Sequence, residues 1–205
     1  MQKAPSKGEV TKLKKLWQFD FDPSAPKEKV HRYNKNRREG PSNFYGMPVF
    51  DHDRIYLAGG GDLFWGKNEA WLKCLDTRAS SNGAPVEAWS AVMEKHVLST
   101  PAITDGLIFI ADCGRKFHCL DATSGKTLWT HDIAGEVWAS PMVADGKVYL
   151  GTRSGQFWIF SASPEKKVLS SLELRDPISG TVTPANGAVY VATMTHLYKL
   201  QATGN

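Results

Sequence analysis

The chain has 205 residues, enough for one domain or two small ones and for a sizeable core. Hydrophobic residues at 41% and charged residues at 22% are ordinary globular values, which excludes wholesale disorder. The formal charge of +4 does not describe a basic fold: residues 1–43 hold eleven Lys and Arg against five Asp and Glu, leaving −2 for residues 44–205.

Three cysteines, Cys74, Cys113 and Cys119, are too few for a disulfide scaffold, and the odd count leaves a free thiol unless chains cross-link. No apolar run reaches transmembrane length, and the lysine-dotted start lacks the apolar centre of a signal peptide. The sequence as it stands therefore reads as soluble, without a membrane span and without a signal peptide.

Self-similarity sets the frame. "TPAITDGLIFIAD" (100–112), "SPMVADGKVYLGT" (140–152) and "TVTPANGAVYVAT" (181–193) superpose without gaps, at steps of 40 and 41 residues. A fourth stretch, "MPVFDHDRIYLAG" (47–59), places His52-Asp53 where the others have Asp-Gly or Asn-Gly. Those dipeptides suit two-residue hairpins, and the flanking segments alternate as half-buried strands do. Four short antiparallel strands about every forty residues predict an all-β protein, a β-propeller. A β-sandwich also uses short strands and glycine turns, but has no reason to repeat its sequence.

In chain order, residues 1–12 are expected to be a flexible leader. "KLWQFD" matches "TLWTHD" (127–132), so 13–20 is predicted to be an outer, fourth strand without a blade of its own. A basic inserted loop follows at 21–43. Blade 1 spans 44–92, blade 2 spans 99–132, blade 3 spans 138–174, and 180–202 supplies three strands of a partial blade 4. The strand at 13–20 can complete that last blade and close a four-bladed ring. Alternatively the chain forms part of a larger, seven- or eight-bladed propeller, or self-associates to supply a missing half.

"CLDATSGKTLWT" (119–130) resembles the tryptophan-docking motif of the PQQ-type (pyrroloquinoline quinone, quinoprotein dehydrogenase-like) propeller repeat, Ala-x-Asp-x-x-Thr-Gly-x-x-x-Trp. Asp121, Gly125 and Trp129 fall at motif positions, with Ser124 for Thr and Cys119 for Ala. "CLDTRASSNGAPVEAW" (74–89) is a stretched version ending at Trp89, and Trp17 matches from the leading strand. The third unit departs: Ser161 replaces Asp, and Ser170 stands where Trp is expected. The resemblance implies inter-blade docking by Trp17, Trp89 and Trp129, and a periplasmic or extracellular location. It spans quinone-dependent dehydrogenases, a lipoprotein scaffold for outer-membrane barrel assembly, and other secreted proteins, so it does not select a function. The dehydrogenases bring adjacent cysteines and a calcium-binding acid set with a catalytic Asp. Neither pattern is visible here, so PQQ with calcium is implied only if the chain is a portion of such an enzyme. No metal site and no catalytic residue are assigned.

Cys74 and Cys119 sit at equivalent positions of neighbouring blades, beyond the ~7 Å Cα reach of a disulfide. They read as small buried apolar side chains. Cys113 lies in the turn "DCGRK", where exposure with Arg115 and Lys116 nearby would lower its pKa. His118 and Cys119 alternate to opposite strand faces, which argues against a zinc site with Cys113. Trp158 reads as packing, and Trp138 as a residue at the channel mouth.

Two insertions mark the candidate site. The first outer-to-inner connection is 19 residues longer than the next, and the hairpin "GGGDLFWGKNEAW" (59–71) carries 8 extra; both emerge on one face beside blade 1. The glycines are expected to turn the chain at its base. It leads into a strand, so it lacks the helix N-terminus of a phosphate loop. Loops on a rigid scaffold are common carriers of binding. Between 27 and 38 the first loop holds six Lys and Arg and one Glu, which reads either as a solvated linker or as an anion-binding arm. The expected site is Arg37, Arg38, Asp62, Trp65, Lys67, Asn68 and Trp71, with Arg115 and Arg153 from neighbouring turns. The expected function is a non-catalytic module that binds a protein or a small, anionic ligand there. No basic stripe continues onto the blades, which argues against nucleic acid.

Overall fold

A computed structural model describes residues 12–35, 38–62 and 67–202. Among them the single helical element is a 3-10 turn, Val30–Lys35; everything else ordered is strand. The first sheet is a meander of β1 (Val49–Asp51), β2 (Arg54–Gly60), β3 (Ala70–Ser81) and β4 (Ala84–Met93). The second is β5 (Ala102–Thr104), β6 (Leu107–Ala111), β7 (Lys116–Asp121) and β8 (Thr127–Asp132). The third is β9 (Met142–Ala144), β10 (Lys147–Gly151), β11 (Gln156–Ser161) and β12 (Val168–Glu173). The fourth holds β13 (Thr183–Ala185), β14 (Ala188–Ala192) and β15 (Leu197–Leu200). All pairings are antiparallel, as in propeller blades.

The hairpin dipeptides adopt the left-handed backbone that two-residue turns demand. Asp105-Gly106 has φ of 48° and 75°, Asp145-Gly146 of 52° and 65°, and Asn186-Gly187 of 50° and 70°. His52-Asp53 takes 44° and 60° although neither residue is glycine. The register of the first blade therefore imposes the same turn on a less suited sequence. A bulge recurs between third and fourth strands, after Cys74, Cys119 and Ile159. Directly before it, Cys74 pairs with Trp89, Cys119 with Trp129, and Ile159 with Ser170.

The sheets stack face to face. On β6, Ile108 and Ile110 enter a core with Tyr56, Leu72 and Cys74 of the first sheet. Their alternating neighbours Leu107, Phe109 and Ala111 enter a second core with Val148, Leu150 and Phe160 of the third. A third core joins Tyr149 and Phe157 to Val182, just before β13, and to Val191 of the fourth. Strand alternation thus gives β6 two buried faces. Phe109, Phe117 and Phe160 are fully buried, each worth about 1.5–3 kcal/mol of burial.

Repeat-position hydroxyls tie the inner rim together. Met47 N donates to Thr100 Oγ1 at 2.9 Å, Thr100 N to Ser140 Oγ at 2.9 Å, and Ser140 N to Thr181 Oγ1 at 3.2 Å. The hydroxyl at this repeat position, on Thr100, Ser140 and Thr181, therefore accepts a hydrogen bond from the preceding blade.

The strand expected over 13–20 does not form: residues 12–20 have no ladder partner, and the fourth sheet has three strands among the described residues. The segment lies over a face of the first sheet and does not extend any sheet edge. Trp17, Phe19 and Phe21 line a cavity of about 540 Å³ with Ile55, Leu57 and Leu75. Those three are the register counterparts of Ile108, Ile110 and Leu120, which line the core that Trp89 packs against.

Candidate functional site

The two insertions are locked to one another. Phe21 is buried, edge-on to Phe44 with centroids 4.6 Å apart and to Trp71 at 6.1 Å. Beside it Asp22 is also buried and accepts from Ser24 Oγ and Ser42 Oγ, each at 2.6 Å. From the hairpin, Lys67 Nζ donates to Gly40 O at 2.9 Å and pairs with Asp22 Oδ2 at 3.4 Å. Burial by itself would raise the Asp22 pKa. The hydrogen bonds from Ser24 and Ser42 and the Lys67 charge outweigh it and hold the carboxyl at about 2. A second tie runs from Asn43 Nδ2 to Asp62 Oδ2 at 2.6 Å, and Gly60 N donates to Asn43 O at 2.8 Å.

The triple glycine serves this junction. Gly60 has φ of 91°, and a β-carbon there would lie 2.4 Å from Glu69 O. Gly61 has φ of 71°, and its β-carbon would meet His96 Cβ at 2.4 Å. The glycines turn the chain and let two loops and a connection approach closely.

The expected site residues separate accordingly. Arg37 and Trp65 lie outside the described residues. Arg38, Lys67 and Trp71 come together around a small polar cleft of about 220 Å³, with Asp22, Gly40 and Glu69. Asp62 and Lys67 are buried at 1% and 7% exposure and are engaged by the arm, which makes them parts of the clamp that shapes the cleft. Asn68 is exposed, as are Arg38 and Arg115. The Arg153 guanidinium lies 4.4 Å from the centroid of the Trp138 ring and donates to Ser179 Oγ at 2.5 Å and to Met194 Sδ at 3.5 Å. No described contact joins Arg115 or Arg153 to the cleft. Sequence reading missed Asp22, Gly40 and Asn43. The Asp-Pro-Ser run at 22–24 was the available signal for Asp22, since such a carboxylate caps the following turn.

Of the three expected docking tryptophans, Trp89 and Trp129 bond to the next blade. Trp89 Nε1 donates to Ala122 O at 3.2 Å, and Trp129 Nε1 to Ser163 O at 3.1 Å. Asp121 accepts from Ser124 Oγ and N at 2.6 and 2.7 Å, shaping the turn that receives Trp89. Trp17 lines the cavity over the first sheet.

Cys113 is buried, contrary to its expected exposure, with Sγ 3.7 Å from Val137 O. Burial, with Glu136 and Asp112 nearby, pushes its thiol up to about 12; burial does the same to Cys119. Neither is a thiolate at neutral pH. All three cysteines are free and buried. Among the described residues no three His, Cys, Asp or Glu side chains converge as a metal would require. The acid set and paired thiols that a quinone with calcium calls for do not fit these side chains. His96 is buried with both ring nitrogens unpartnered, and burial lowers its pKa. No helix among the described residues is long and apolar enough to cross a membrane.

Comparison with known proteins places this geometry. The family described as outer membrane protein assembly factor BamB matches residues 68–196, more than half of the chain. A 1-butanol dehydrogenase (cytochrome c) of Thauera butanivorans is 30% identical over 93 residues, covering 39% of this chain and 14% of its own. Among solved structures, BamB from Moraxella catarrhalis superposes with a TM-score of 0.57 at 16% identity, over 78% of this chain and 60% of that one. Quinohemoprotein alcohol dehydrogenase from Comamonas testosteroni gives 0.58 at 14% identity, over 74% and 29%. The chain thus spans 14% of the curated relative and 60% of the BamB structure. At these identities the structural likeness establishes the propeller fold.

Proposed function

The chain belongs to the family described as outer membrane protein assembly factor BamB, and from that premise we propose that it is a non-catalytic propeller module that docks an acidic protein partner. The docking face is the one carrying the 21–43 and 59–71 loops. The observation that carries this reading is the clamp of Lys67 on Gly40 and Asp22, which makes two separate insertions one preorganised platform. Arg38 stands exposed at its cleft. On the same side of the blades, the Arg153 guanidinium is held 4.4 Å from the centroid of the Trp138 ring, where a carboxylate can pair with it. The family points to the periplasm or cell exterior as the place of work. Titration with poly-L-glutamate, as a stand-in for an acidic segment, tests it.

The match to the 1-butanol dehydrogenase favours a second reading, in which the chain is a portion of a quinoprotein whose PQQ and calcium are held by other residues. Saturable stabilisation by PQQ with calcium supports that reading, and its absence at high excess supports the first.

A further inference from the structure

The third blade junction differs from the two before it. At the first, the Trp89 indole enters the next blade and donates to Ala122 O; at the second, Trp129 does the same toward Ser163 O. The register assigns Ser170 to that place at the third junction: it pairs with Ile159 just before the bulge, as Trp129 pairs with Cys119 and Trp89 with Cys74. No aromatic side chain from β12 fills the gap. What stands there is a cleft of about 940 Å³ between the third and fourth sheets.

Its walls are those of a docking slot. Tyr149, Ile159 and Leu172 line it from the third sheet, and Val189 and Leu200 from the fourth. It is continuous with the buried core between these sheets, to which Tyr149 belongs and against which Ile159, Val189 and Leu200 pack. At the register position of Trp129, which is 8% exposed, β12 presents the exposed Ser170, and Leu172 beside it lines the cleft. Ala202, at the register position of Ala122 two residues past the third strand, also lines the cleft, with the Lys147–Asp145 ion pair at its edge.

We infer that this cleft is a binding site for a planar aromatic group carrying an N–H donor, an indole-type ring that takes the place Trp89 and Trp129 fill in the two preceding junctions. The apolar walls stack on the ring faces, and the carbonyl of Ala202, the counterpart of the Ala122 carbonyl that accepts from Trp89, accepts its N–H. The volume lies within the range of small-molecule sites, about 300–1,000 Å³. Such a ring can arrive as a free heterocycle or as the side chain of a tryptophan in a polypeptide.

The test uses the full chain and indole itself as the probe, followed by amide chemical shifts. Saturable binding is expected, with shifts confined to the backbone around Ser170 and Val189. Ser170→Trp supplies the missing wedge from within, so it should raise Tm and weaken indole binding at least about tenfold. Benzofuran, with oxygen in place of N–H, should bind about fivefold more weakly than indole, the loss of one hydrogen bond. N-acetyltryptophanamide separates the sources: tighter binding than indole assigns the site to a polypeptide tryptophan, and weaker binding to a free heterocycle. Absence of saturable binding, shifts centred elsewhere, or undiminished binding to Ser170→Trp overturns the inference. If that variant does not fold, the shift map on the unaltered chain decides by itself.

Discussion

Trp89 lies so close to Gly125 of the next blade that a β-carbon on Gly125 would stand 2.4 Å from the indole Cε3. Gly125 also has φ of 72°, so steric room and backbone conformation both require glycine there. Gly125→Ala should therefore destabilise the chain by about 3 kcal/mol, from left-handed strain and overpacking together. Urea unfolding measures it. A loss below about 0.5 kcal/mol would mean that the blades adjust freely at this junction.

Trp129 docks one blade on through its Nε1 bond to Ser163 O and sits in a cluster with Phe117 and Phe160, its centroid 5.7 and 5.9 Å from theirs. Trp129→Ala should cost about 3–5 kcal/mol. The same measurement checks it, with the fluorescence change of the variant reporting the lost indole.

The clamp predicts a distinct pattern. Lys67→Met leaves Asp22 buried beside Gly40 without its counter-charge, at a cost of about 2–3 kcal/mol. The arm at 21–43 should become markedly more sensitive to trypsin at Arg32 and Arg38, while the second and third sheets keep their amide protection. Uniform loss of protection would show that the clamp supports the whole stack.

Asp22 gives the acid limb of stability its sign. Its folded pKa of about 2 lies below the ordinary value of 3.8, so its contribution is present above pH 3.8 and is lost as pH falls towards 2. The amount is about 2 kcal/mol. Asp22→Asn should remove that part of the pH dependence. His96 acts in the same direction over a higher window: its pKa is lowered by burial, so stability falls as pH drops below 6.5. His96→Phe should flatten the profile there.

Much of the fold was legible in the repeat. The Asp-Gly and Asn-Gly turns, the alternating strands and the tryptophans at 89 and 129 each encode a local requirement, and the structure meets them at the same positions. The Thr-Pro and Ser-Pro signature was visible as pattern, but the role of its hydroxyl in hydrogen bonding blade to blade needed coordinates. Residues 12–20 misled because a strand-like pattern does not choose its partner: Trp17 and Phe19 line a cavity over the first sheet, and the segment does not extend the edge at β15. Cys113 misled because a polar turn sequence does not show that the Val137 connection covers it. The convergence of the two insertions was readable from loop lengths. That Lys67 and Asp62 hold the loops together, and are buried in doing so, was not, because their partners lie 19 to 45 residues away.

The docking face is tested most directly by calorimetric titration of poly-L-glutamate at low ionic strength into the intact chain and into the double variant Arg38→Ala, Arg153→Ala. The account predicts saturable binding to the intact chain, weakened about fivefold in the variant with its thermal stability retained. Absence of binding to the intact chain, or equal affinity in the variant, would contradict it.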